Sequence, residues 1–238
     1  MEILYHDGPV IVVNKPAGLQ VQAPPGIDSL VNHIKTYIRQ KEHCEGKNIY
    51  LGVPHRLDRP ATGCMLFARH VRAAQRLSLQ FQMRTIIKKY WTLVEGRIPD
   101  TAGSWEDFII KVPGEARAEI VSADHTEARW ALLHYKVMHF FPEKNCSWLE
   151  IELETGRTHQ IRIQCASRGF PILGDFQYGA KMNFGQQFSD KRLQAIALHS
   201  RKLGFRHPMR DEMIEITAPL FPEWTDFSEK FCLPCDFT

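Results

Sequence analysis

HRLDRPATGCMLFA, residues 55–68, contains two kinds of local order in fourteen positions. Its first part sets one acid, Asp58, between Arg56 and Arg59, and follows it with Pro60 and Gly63. Proline fixes its own φ and glycine accepts turns that other residues resist, so this part reads as a tight loop that presents a carboxylate. Cations beside a carboxylate favour its charged form. Standing alone, the loop fits a surface ion pair equally well. The second part, CMLFA at 64–68, is a short apolar run and a strand candidate.

Outward from this segment the chain keeps changing period. Ile11, Val12 and Val13 form a short buried strand, stopped by the turn residues Asn14, Lys15, Pro16, Ala17 and Gly18. Asp28 is placed to cap a helix whose apolar side carries Leu30, Val31, Ile34, Tyr37 and Ile38. From 70 to 84 the spacing is helical again, with Val71, Ala74, Leu77 and Phe81 on one side. Arg69, Arg72 and Arg76 recur at intervals of three and four on another. YWTLVEG and SWLEIELETG read as strands; in the second, Leu149, Ile151 and Leu153 face one way and three glutamates the other. EMIEIT near the end is a further strand. Strands outnumber helices without regular βαβ alternation, which predicts an α+β fold with a largely antiparallel or mixed sheet and flanking helices. No linker or repeat divides the 238 residues, so the expectation is one continuous domain over 1–238, with a bilobed shape allowed and the motifs lying within about 9–220.

Composition narrows the class. Hydrophobic residues make up 44% of the chain and no low-complexity tract occurs, which excludes a disordered protein. No apolar run approaches the ~20 residues of a membrane span, and MEILYHDG lacks the features of a signal peptide. The expected location is cytoplasmic. Six cysteines in a chain of this length do not make a disulfide framework, and the single C-x-x-C at Cys232 and Cys235 has no second pair to complete a zinc site. The net charge is only +3, but residues 55–97 carry nine Lys/Arg against two acids, and 157–210 carry ten against two. Two such blocks would suit a phosphate-binding face, or two unrelated solvated surfaces.

Three further stretches carry candidate chemistry. In ETGRTHQIRIQCASRGFPILGD, Gly156 ends a strand, Thr158 is a helix N-cap candidate, and Arg162 lies about one turn beyond Thr158 and His159, able to reach inward. Tyr90 in KKYWTLVEG is an aromatic hydroxyl after two lysines, suited to base stacking or to half-buried strand packing. GDFQYG, 174–179, is a glycine-bounded turn containing Asp175.

Together these stretches resemble the RluA-type pseudouridine synthases, which convert uridines in RNA to pseudouridine. The resemblance runs in order through VIVVNKPAGLQV, HRLDRPATGCMLFA, KKYWTLVEG, TGRTHQIRIQCASRGFPILGDFQYG and LHS at 198–200. It implies a single catalytic domain in which Asp58 is the nucleophile. Tyr90 is then the tyrosine that stacks on the target base, and Arg162 the basic residue paired with the aspartate. It also implies that Arg56 enters the RNA stack where the flipped base was, and that Leu198 packs beside the uracil. Arg59, Arg157 and His159 join them as substrate or RNA contacts, and Arg69, Arg72 and Arg76 are expected to hold RNA backbone. The reaction needs no metal or organic cofactor. The implied partner is tRNA or rRNA, bound by a monomer without an obligate protein partner. The chain opens almost at once on the catalytic strand, so RNA binding is expected from the catalytic domain itself, without a separate S4 domain. Ala61-Thr62 stands where many relatives have Thr-Ser, Gln164 where many have histidine, and Trp130 or Ala131 where threonine is usual.

Other chemistries fit less well. A metal-dependent nuclease would use Asp58 and Asp175, yet the two basic blocks hold only four acids. A zinc deaminase requires His-x-Glu with Cys-x-x-Cys, an arrangement that is missing. A non-catalytic RNA-binding protein has no positive support, because every position implied to be catalytic is filled.

Overall fold

The segments read as apolar strands pair with one another. In a computed structural model that describes residues 1–224, Val10–Lys15 (β2) lies antiparallel between Glu2–Asp7 (β1) and Thr62–Ala68 (β3). Both β2 and β3 are buried at every position. Alternate side chains serve opposite faces of the sheet, as the two-residue period of a strand requires. Ile11, Val13, Met65 and Phe67 pack with Leu30, Ile34 and Ile38 of helix α1 (Leu30–Lys41). Val10, Val12, Cys64 and Leu66 pack with Ala73 and Leu77 of helix α2 (Val71–Gln82) on the other face. Covered on both faces, these strands have no polar side to alternate with.

The remaining strands extend the same sheet. They are Ile87–Glu95 (β4), Ala102–Lys111 (β5), Ala118–Val121 (β6), Arg129–Phe141 (β7), Cys146–Leu153 (β8), Leu198–Arg206 (β9) and Met213–Thr217 (β10). Their order is β1-β2-β3-β9-β4-β8-β7-β5-β6, with β10 added to β9. Every pairing among the described residues is antiparallel except β3 with β9. The fold is α+β with a mixed sheet, as the sequence predicts.

The parallel contact between β3 and β9 is short: Thr62 faces His199 and Gly63 faces Ser200. Gly63 has a φ of +108°, and a Cβ there would lie 2.6 Å from the Ser200 nitrogen. Only glycine permits that approach, which brings the loop before β3 against the start of β9. Thr62 Oγ1 and His199 Nδ1, 2.8 Å apart, close the junction.

Helix boundaries correct three expectations. The N-cap of α1 is Ser29, whose hydroxyl accepts from the Asn32 N–H. Asp28 instead accepts from the Ser29 N–H and pairs with His33. In α2 the buried stripe centres on Ala73 and Leu77, and Val71 in the first turn is exposed. Small Ala73 lets the helix lie on β3, and Ala74 and Phe81 pack only at the margin. The third helix, α3 (Gln160–Ser167), starts after His159 rather than Thr158, and His159 makes no side-chain cap. Its first turn is held by Gln160 Oε1, which accepts from Thr155 Oγ1 and the Arg157 N–H. No helix of the described residues is long and apolar enough to cross a membrane. Cys232 and Cys235 lie outside the described residues.

Candidate active site

Asp58 sits in the loop that enters β3, and the loop is fastened from below. Lys15, at the end of β2 and fully buried, donates its three ammonium hydrogens to the carbonyls of Pro16, Arg59 and Ala61 at 2.8–3.0 Å. Burial pushes Lys15 down to about 7, with the nearby Asp58 charge opposing. His55 anchors the other end: its Nε2 accepts from the Leu66 N–H at 2.8 Å, and its ring stacks on Phe81. Burial drops the His55 pKa to about 3, so the ring is neutral and free to accept.

α3 carries Arg162 inward to the same place. The helix is buried, with Gln160, Ile161, Arg162, Gln164 and Cys165 all covered, and Arg162 reaches inward as the spacing allows. Arg162 Nη1 lies 3.3 Å from Asp58 Oδ2. Its other edge makes a bidentate pair with Asp175, Nε to Oδ2 at 2.7 Å and Nη2 to Oδ1 at 2.8 Å. Gln177 Oε1 accepts from Nη2, and the ring of Tyr178 lies 4.8 Å from the guanidinium. Burial opposes this cation, but the hydrogen bonds and charge of Asp175, with the charge of Asp58, raise its pKa above the ordinary value. Asp175 is 2% exposed and Asp58 17% exposed. Two carboxylates therefore share one guanidinium, and the more open of them faces the cavity.

His159 adopts a left-handed backbone at φ 51°, which sets its ring between Tyr178 and Asp58. The Tyr178 hydroxyl accepts from the Ala118 N–H at 2.7 Å and lies 2.8 Å from His159 Nδ1. With Nδ1 as acceptor, the N–H falls on Nε2, 3.6 Å from Asp58 Oδ1. The proximity looks like an ion pair, but burial lowers the His159 pKa more than Asp58 raises it. The pair is therefore a neutral imidazole aimed at a carboxylate.

Tyr90 comes from β4, opposite Ser200 of β9. Burial pushes its phenol up to about 12, against a hydrogen bond with Ser200 that lowers it. It is a neutral phenol at physiological pH.

A cavity of about 140 Å³ opens beside Asp58, and its lining includes Tyr90, Arg162, Arg56, Arg157, His159 and Leu198. Cavities of ~150 Å³ hold one benzene-sized ring. The structure thus brings together seven of the residues marked by the sequence. Arg59 lines an adjoining cleft of about 670 Å³, together with Arg56, Asp175 and Lys191. Arg69, Arg72 and Arg76 do not join them. Arg69 precedes α2 and pairs with Glu42. Arg76 donates to the Pro208 carbonyl, and Arg72 is exposed on α2. None of the three lines a cavity that contains Asp58. The sequence marks Asp175 only as part of a candidate turn, without a partner, and does not mark Gln177, Tyr178 or Lys15. Their signals were the glycine-bounded GDFQYG turn and the lysine in NKPAG.

Among the described residues no group of three or more His, Cys, Asp or Glu side chains could hold a metal ion. Asp58 and Asp175, which a metal-dependent nuclease would need, are instead separated by the Arg162 cation.

The RNA pseudouridylate synthase family matches residues 9–167. The chain belongs to that family. It is an RNA pseudouridine synthase, an isomerase, and its resemblance to RluA-type synthases holds. An uncharacterized RNA pseudouridine synthase of Bacillus subtilis (strain 168), YhcT, is 32% identical over 222 residues, covering 93% of this chain and 69% of the relative. The ribosomal large subunit pseudouridine synthase D of Haemophilus ducreyi is 30% identical over 237 residues, covering 96% of this chain and 70% of the relative. In fold, this synthase is similar to Human RNA Pseudouridylate Synthase Domain Containing 4, with a TM-score of 0.79 at 21% identity over 97% of this chain and 93% of that one.

Proposed function

We propose that Asp58 is the nucleophile that isomerises a uridine extruded from rRNA or tRNA into the cavity bounded by Tyr90 and Leu198. One observation carries this: Asp58 is the more exposed of the two carboxylates on Arg162, and it faces a cavity sized for one ring. A stacked uridine hides its glycosidic bond, so it must first leave the stack, at a cost of a few kcal/mol. Arg56 lines the ring-sized cavity and the wider spaces on either side of it, which suits a side chain that fills the gap in the stack. In the pocket, Tyr90 offers an aromatic face and a neutral hydroxyl, and Leu198 an apolar wall.

The reaction breaks the bond from N1 to C1′, turns the uracil, forms a bond from C5 to C1′, and moves the C5 proton to solvent while N1 gains one. Asp58 serves it by attacking C1′ or C6, and Arg162 holds the carboxylate in aim. Relatives named for the large ribosomal subunit favour rRNA as the substrate. The test uses purified protein with rRNA and tRNA fractions from cells lacking its gene, and maps pseudouridine in each. New pseudouridine at discrete uridines of one fraction supports the reading. RNA unchanged in both fractions opposes it.

A further inference from the structure

Next to the ring-sized cavity lies a second space of about 430 Å³, lined by Arg84, Lys88, Glu154 and the shared residues Arg56, Tyr90 and Arg157. Of its cations, Lys88 and Arg157 are half-buried and Arg84 is exposed. Arg84 has a left-handed φ of 57° and its guanidinium stands 5.1 Å from the Trp130 ring. Arg157 donates its Nε to the Trp130 carbonyl at 2.9 Å, which leaves the rest of its guanidinium to the cavity. Lys88 lies on β4 two residues before Tyr90. None of the three forms an ion pair within the described residues, whereas the neighbouring Lys89 pairs with Glu150. Burial and the charges of Arg84 and Arg129 lower the Arg157 pKa. Burial lowers that of Lys88 too, with Arg84 adding to the effect and Glu154 opposing it. Like charges are crowded here at a cost to the empty protein, and an anion between them would remove that cost.

We propose that Arg84, Lys88 and Arg157, with Trp130 bracing the two arginines, bind an RNA phosphodiester flanking the extruded uridine. The assignment rests on the reading of the ring-sized cavity as the uridine pocket. It replaces the Arg69, Arg72 and Arg76 face as the main electrostatic hold on RNA.

The test is fluorescence anisotropy with labelled decauridylate across a salt series, in the Asp58→Asn background so that no turnover occurs. Each lost contact to a single strand flattens the log–log salt slope by ~0.7, so Arg84→Gln, Lys88→Gln and Arg157→Gln together flatten it by about two and weaken binding at least about tenfold at low salt. Arg69→Gln, Arg72→Gln and Arg76→Gln remove the same charge and change affinity less than about twofold. A decauridylate with neutral methylphosphonate linkages binds the background and the Arg84/Lys88/Arg157 variant alike, which separates phosphate recognition from contacts to base or sugar. Should Arg157→Gln disturb folding, the Arg84/Lys88 double variant flattens the slope by more than one. Equal losses in both triple variants, or equal affinity of the background for charged and neutral oligomers, overturn the site. A wrong assignment of Asp58 leaves these slopes unchanged and appears only in the turnover assay.

Discussion

At the scale of single residues the site turns on one guanidinium with two carboxylates. Arg162 and Asp175 are both almost fully buried, so removing one partner strands the other. Asp175→Asn therefore costs about 3–5 kcal/mol of stability, whereas Asp58→Asn, at the cavity wall, stays within about 1 kcal/mol. Urea denaturation of the two variants checks this, and equal losses would contradict the division of labour. Lys15 gives a pH signature. Its folded pKa is lowered to about 7, against 10.5 in an exposed lysine. Between those values the unfolded chain holds a proton that the folded chain lacks, so this group's contribution to stability rises with pH across the window and is flat below it. Lys15→Met removes that slope and also leaves three carbonyls unpaired. The stability difference between wild type and variant should climb from about pH 7 to about pH 10; a constant difference would mean that Lys15 stays charged throughout. Asp58, Tyr90 and Arg162 were legible because each sits in a dense motif. The turn that holds Asp175 was marked, but its role was not legible, because its partner Arg162 comes from a helix thirteen residues away.

At the scale of elements, the junction of β3 and β9 positions the loop that carries Asp58. Gly63→Ala forces a Cβ onto the Ser200 backbone at a φ of +108°. The strands must part, at a cost of about 3 kcal/mol or more, and activity falls with stability. A variant of wild-type stability with full activity would show the junction to be dispensable. β2 and β3 were readable as strands because both faces are apolar. β9 was not: His199, Ser200 and Arg201 are buried in it, and their partners, Thr62 Oγ1 and the Ala218 carbonyl, come from distant segments. β7 escaped for another reason, since a bulge between Val137 and His139 breaks its alternation. The helices were placed correctly, but two of their starts were not: Ser29 competes with an equally good cap at Asp28, and α3 begins after a left-handed His159 that makes no side-chain cap.

At the scale of the whole molecule, the fold gathers residues from 56 to 198 around one cavity, and only some of the cations counted along the chain lie near it. Charge counting located two basic blocks but could not say which side of the sheet each residue faces. Arg157 lines the cavity beside Asp58, and Arg84 and Lys88 line the space next to it, while Arg69 and Arg76 are tied elsewhere. The central claim is that Asp58 performs the covalent step, and the most direct measurement is single-turnover tritium release from RNA containing 5-tritiated uridine. Wild-type protein should release the label from each converted site. Asp58→Asn should bind the same RNA within about twofold and lose at least about 10⁴-fold in rate, as removal of a nucleophile does. Release by the Asn variant within about tenfold of wild type would contradict the account.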